Sequence, residues 1–127
     1  MCDVLQPRLT TSEGAAGTQY VHLELTNTGR SPCHVRGYPR LTLVDGDGKT
    51  LGTAATRRGD GGAAMVIIQP GKTVGTDIGF PNAGNFLAGA CKTGTKALVV
   101  QLSHSKRTSR VADVHPFCPD WSVGPLR

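Results

Sequence analysis

Four groups of side chains in this sequence have types and spacings that bear on chemistry: the cysteines, the histidines, two clusters of basic residues and a few oxidisable side chains. The cysteines stand at 2, 33, 91 and 118. No C-x-x-C occurs and no Cys/His group has zinc spacing, so a structural metal site is not expected. An even number of widely separated cysteines points to two disulfides and an oxidising compartment. Four cysteines allow three pairings. Chain order favours Cys2–Cys33 and Cys91–Cys118, each closing a loop of about 30 residues and contributing roughly 3–4 kcal/mol by loop entropy. Four reduced, buried cysteines in a cytosolic protein are the alternative.

The histidines are His22, His34, His104 and His115. Each reads as solvated or hydrogen-bonded. His104 and His115 can meet across a hairpin, but no pair has the spacing of a metal site, and a haem or copper ligand among them lacks support. The chain has no G-x-S-x-G, no H-E-x-x-H and no phosphate-binding glycine loop, since Gly59–Gly62 lacks the Lys-Ser/Thr such a loop needs. Asp60 with a serine and a histidine makes a trio that any chain of this size offers. No catalytic residue is assigned, and hydrolysis is set aside.

Lys and Arg number 14 against 9 Asp and Glu, a net charge of +5. Lys92, Lys96, Lys106, Arg107 and Arg110 lie in a stretch without an acid, and residues 30–58 carry six basic residues against Asp45 and Asp47. Such a surface draws anionic partners, a small molecule or a polymer, with nucleic acid not expected. If their loops converge, Arg57, Arg58, Lys106, Arg107 and Arg110 form an anion site. The sequence leaves the cofactor unnamed; a haem-like one, held by its propionates, is the candidate. A solvated basic rim that keeps a monomer soluble is the plainer alternative. Two Met, one Trp and two Tyr are oxidisable, whereas disulfide-bonded cysteines scavenge poorly. Catalytic radical removal therefore needs a bound cofactor.

The elements that would position these groups are short. At 127 residues, with 17 Gly, 8 Pro and 38% hydrophobic residues, the chain fits one domain of many turns. No apolar run approaches the roughly 20 residues that cross a bilayer. No leader is visible, and Met1 reads as a start that replaces a removed one. Strands are expected over 4–10 (an edge, because of Pro7), 19–27, 33–36, 41–44, 49–53, 65–68, 73–79, 97–102, 111–114 and 121–123. A turn over 13–18 joins the first two. Asp45-Gly46-Asp47-Gly48 reads as a tight hairpin turn, and Gln69-Pro70-Gly71-Lys72 as another. One helical turn is expected near 85–88. Two antiparallel sheets face to face, an immunoglobulin-like β-sandwich, bury these alternating faces; a small β-barrel is the runner-up.

Residues 20–52 carry a more specific pattern: Leu23, Leu25-Thr26-Asn27-Thr28-Gly29, Pro32-Cys33, Val35, Gly37-Tyr38-Pro39, Leu41, Leu43-Val44-Asp45, Gly48 and Leu51-Gly52, then Ile68 and Pro70-Gly71. It resembles an uncharacterised domain family of secreted proteins and lipoproteins of actinobacteria, in which Cys2, Cys91 and Cys118 also stand where the family pattern expects them. The resemblance implies export and an immunoglobulin-like fold, and no reaction. It also admits a lipid on Cys2, which would strand Cys33; the disulfide is preferred. One family member, a secreted antioxidant, is similar in size and basic charge, which implies an exported protein that lowers free-radical load. Within the pattern, Asn27 is expected to close an Asx turn, Gly29 to take positive φ, and Tyr38 to pack its ring while its hydroxyl reaches backbone.

Two function classes follow. One is a secreted antioxidant, sacrificial or acting through an anionic cofactor at the basic site. The other is a non-catalytic module of the cell envelope that adheres to an anionic polymer or a host protein.

Overall fold

In the computed structural model of the chain, which describes residues 2, 5–59, 64–102 and 105–127, alternation sets the facing of the two long inner strands. Strand β2 (Thr18–Asn27) buries Val21, Leu23, Leu25 and Asn27, leaving His22, Glu24 and Thr26 on the other face. Strand β8 (Thr73–Pro81) buries Val74, Thr76, Ile78 and Phe80 in the same rhythm. The remaining strands are β1 (Leu5–Ala15), β3 (Cys33–Arg36), β4 (Arg40–Val44), β5 (Thr50–Leu51), β6 (Thr56–Arg57), β7 (Met65–Ile68), β9 (Ala97–Gln101), β10 (Thr108–Ala112) and β11 (Ser122–Val123). A single 3-10 turn covers Ala83–Asn85 among the described residues.

The strands form a five-stranded sheet ordered β1-β2-β8-β11-β6, a four-stranded sheet ordered β10-β9-β4-β5, and a ribbon of β3 with β7. The two larger sheets pack as a sandwich. Leu23, Leu25, Val74, Ile78 and Val123 meet Leu41, Leu43, Leu98 and Val100 in the core, with Trp121 fully enclosed. Strand β10 packs beside β1 at one edge. At the other edge the chain crosses between sheets after β5, where Ala55 N–H bonds Leu41 and Thr56 N–H bonds the Trp121 carbonyl. Both disulfides have the expected pairing: Cys2–Cys33 ties Cys2 to β3, and Cys91–Cys118 ties the connection after β8 to the loop before β11.

The structure departs from the sequence reading in local ways. Strand β1 is an edge, as Pro7 requires, but runs to Ala15; the turn shrinks to Ala16-Gly17, with a register shift between Thr10 and Ser12. The strand placed at 111–114 lies at Thr108–Ala112, because pairing with β9 fixes its register and turns Asp113 inward. The strand at 49–53 is cut to two residues by Gly52, whose φ is +68°. The 3-10 turn precedes the helical turn expected near 85–88. One pairing, β6 with β11, is parallel. Gly29 is not among the glycines with positive φ; its N–H instead bonds Asn27 Oδ1 at 2.9 Å, closing the expected Asx turn.

The Asp45–Gly48 turn is closed by its own first residue. Asp45 Oδ1 accepts the Asp47 and Lys49 N–H groups, and Gly48 N–H bonds the Asp45 carbonyl. Only Gly48 has positive φ, at 81°. Gly48→Val should therefore cost about 1–2 kcal/mol. Gly46→Val, whose Cβ meets nothing closer than 3.7 Å, should leave the melting midpoint nearly unchanged. Equal effects would overturn this account of the turn.

Candidate anion site

The outward face of β8 presents Gly75, Asp77 and Gly79, so two of three side-chain positions are empty and a trough runs along the sheet. Neighbours fill that space. A Cβ on Gly75 would lie 2.7 Å from His22 Nε2, and one on Gly79 would lie 2.7 Å from Ser122 Oγ and 3.3 Å from Arg58 Nη1. Register explains the crowding: Tyr20 and Ser122 both sit opposite Gly79, and His22 sits opposite Asp77.

Arg58 follows β6 and lies along the trough. Its Nη1 donates to Ser122 Oγ at 2.6 Å, and its Nη2 donates to the Asp77 carbonyl at 2.8 Å. Its Cζ is 5.4 Å from the Tyr20 ring centroid, a cation–π contact. Its own backbone is fixed as well. Arg58 N–H bonds the Val123 carbonyl at 2.9 Å, and the Tyr38 hydroxyl donates to the Arg58 and Gly59 carbonyls at 2.8 and 2.6 Å. Two clefts open beside this guanidinium. One, of about 470 Å³, is bordered by His22, Glu24, Arg58, Asp77 and Arg127; the other, of about 640 Å³, by Glu13, Tyr20, His22, Arg58 and Asp77.

Two of the three acids bordering the clefts, Asp77 and Glu24, have side-chain ion partners, and Arg58 has none among the described residues. Asp77 Oδ1 is 2.9 Å from His22 Nδ1, and Glu24 accepts from Arg8 at 3.1 Å. Among the described residues no carboxylate lies within ion-pair distance of Arg58, whose partners are a hydroxyl, a carbonyl and a ring. Arg58 thus combines a fixed orientation, further N–H donors and a charge with no counter-ion among the described residues, which is the preparation an anion site requires.

The five basic residues expected at one site fall into two places. Arg57 and Arg58 lie at the β6 edge, Arg57 with its Cζ 5.5 Å over the Tyr38 ring. Lys106, Arg107 and Arg110 lie on or just before β10, beside β1. Four strand spacings of about 4.8 Å separate these edges, about 19 Å in all. The expected convergence does not form, because β6 closes the sheet at the edge opposite β1. Arg107 instead borders a slot at the β1–β10 edge, with Leu5, Leu102 and Ser109. His104 and Asp60 lie outside the described residues, and with them the His104–His115 pairing and the Asp60 trio. His115 contacts Asp113 at 2.5 Å and stacks on Phe80, with ring centroids 4.2 Å apart.

Sequence reasoning found Arg58 but missed Tyr20, His22, Asp77 and Ser122. A signal was present: glycines at 75 and 79 occupy alternate positions of a strand whose other face is apolar, and glycine within a strand marks close approach by another group. A model of a domain family, described as a domain of unknown function (DUF4232), matches residues 2–127. No curated protein and no solved structure matches the chain.

Proposed function

The chain belongs to the DUF4232 domain family, and from its own geometry we propose an exported module that binds an anionic ligand on the outer face of the five-stranded sheet, with Arg58 as anchor. The carrying observation is the Arg58 guanidinium, pinned between two open clefts and with no carboxylate partner among the described residues. Orientation fixed in advance reduces the entropy lost on binding, and a planar fork meets two oxygens of a carboxylate or phosphate at once. Export is supported by the two disulfides, which oxidising compartments sustain, and by the resemblance to actinobacterial secreted proteins. No helix among the described residues is long and apolar enough to cross a membrane.

As a binding module, the domain takes an anionic polymer or a host protein's acidic segment. The antioxidant reading is the form in which the anion is a redox cofactor. Its support is the likeness in size and charge to the secreted antioxidant radical oxygenase of Cutibacterium. A haem-like group would set a propionate on Arg58, beside the Tyr20 ring; bound there, it would supply electron transfer to radicals.

Titration with haemin and with polyglutamate tests the common element. Arg58→Ala should weaken binding about tenfold and Arg58→Lys somewhat less, because a point charge replaces a fork. Arg107→Ala, at the far edge, should change affinity less than about twofold. Binding indifferent to Arg58 removes the proposal. A radical-scavenging assay with and without haemin then separates the two forms, since only the cofactor form gains activity on loading.

A further inference from the structure

We propose that anion binding at Arg58 is coupled to protonation of His22, so that the site fills as pH falls. This deepens the anion-site reading and rests on it. Arg58 Nη2 bonds the carbonyl of Asp77 itself, so a ligand seated on this guanidinium has the Asp77 carboxylate as a close neighbour of like charge. Among the described residues that carboxylate has one side-chain partner, His22 Nδ1, at 2.9 Å. The His22 ring lies across the trough floor over Gly75, and both side chains reach solvent, at 42% and 61% exposure. His22, Asp77 and Arg58 border both clefts, so a ligand in either meets all three.

The charge of the pair decides the outcome. With imidazolium at 22, Asp77 is compensated and Arg58 presents a net positive site. With neutral imidazole the hydrogen bond survives but the carboxylate charge stands unopposed beside the ligand. The other groups facing His22 are Glu13 from β1, Tyr20 and Glu24 from β2, and Arg58 and Arg127 across the trough, with Thr10 bonded to its carbonyl. Glu24 is held by Arg8. Carboxylates, guanidinium groups and phenols as classes keep one charge state between about pH 5.5 and about pH 8, whereas imidazole changes its own. Proton uptake therefore accompanies binding, and affinity rises toward acid pH. By reciprocity, the bound anion raises the proton occupancy of His22. The ligands so favoured keep their negative charge at mildly acid pH, such as carboxylates, sulfates and phosphate esters.

The probe is pyrenetetrasulfonate, whose sulfonates stay ionised throughout, followed by fluorescence anisotropy with wild type, Arg58→Ala, His22→Gln and Asp77→Asn. Wild type should bind about tenfold tighter at about pH 5.5 than at about pH 8. His22→Gln should flatten the profile. Asp77→Asn should bind at about pH 8 nearly as well as wild type does in acid, because the repelling charge is gone. In NMR at a fixed pH near neutrality, saturating probe should increase the imidazolium fraction of His22 in wild type. All the substituted side chains are partly exposed, and melting curves confirm that each variant folds. Binding that needs Arg58 yet ignores pH, or that keeps its pH dependence in both His22→Gln and Asp77→Asn, overturns the coupling and leaves the anion site standing. No binding, or binding indifferent to Arg58, overturns both.

Discussion

Asn27→Ala should lower stability by about 3–5 kcal/mol and the melting midpoint by roughly 10 °C or more. The Asn27 side chain is fully buried at the end of β2 and joins three segments of backbone. Its Nδ2 donates to the Ser31 and Ile68 carbonyls, each at 2.9 Å, while Oδ1 accepts the Gly29 N–H. Its main chain closes the Gln69–Lys72 turn from the other side, with bonds to Gly71 and Lys72. Truncation strands the Ile68 carbonyl in the buried interior, at about 1–3 kcal/mol, and breaks two part-buried bonds, to the Ser31 carbonyl and the Gly29 N–H, worth about 1 kcal/mol each. Asn27→Asp should be no milder, since a second acceptor then faces two carbonyls and a charge enters the core. Chemical denaturation checks both variants. A loss below about 1 kcal/mol for Asn27→Ala would show that the three segments hold their positions without it.

Gly52→Val should be comparably damaging, again about 3–5 kcal/mol, by a different mechanism. Gly52 is exposed and would pass for a tolerant surface position, but its φ is +68° and a Cβ there would lie 2.4 Å from the Phe117 ring. Phe117 cannot simply retreat: it is buried, its backbone bridges Lys92, and Cys118 beside it is bonded to Cys91. Two costs add, the left-handed backbone and the displaced ring. Phe117→Leu in a Gly52→Ala background separates them. The smaller side chain should recover part of the loss, and the remainder is the backbone component. If Gly52→Val melts within a few degrees of wild type, the close approach of ring and glycine is not what holds this corner.

Alternation made the fold legible. Val21, Leu23 and Leu25 against His22 and Glu24, and Val74, Thr76 and Ile78 in β8, state a half-buried strand in their own residues, and Gly48 and Gly71 mark turns by what only glycine tolerates cheaply. The disulfides followed from spacing and chain order. The site was legible only in part. Density of charge identified Arg57 and Arg58, but density along a chain carries no information on which edge of a sheet a strand takes. The parallel insertion of β6 beside β11 sends this pair away from Lys106, Arg107 and Arg110. His22 and Asp77 were hidden for the same reason, since 55 positions separate them and only the β2–β8 register brings them together. Non-local pairing, not propensity, assembles the trough.

The strand order β1-β2-β8-β11-β6 also sets a schedule. The β1–β2 hairpin closes across two residues and can form as soon as it is made. Strand β6 emerges far earlier than β11, yet β11 is its strand partner in the sheet. Until Trp121–Val123 thread between β8 and β6, the backbone of Thr56 and Arg58 has no carbonyls to bond, and the Arg58 side chain has no Ser122 to hold it. Pairings this distant in sequence form late, after the entropy of closing the loop has been overcome. A chain passing unfolded through a narrow channel therefore keeps its sheet open until its last strand has cleared. The Arg58 trough is completed at the same moment, because Ser122, which holds the guanidinium, arrives with that strand.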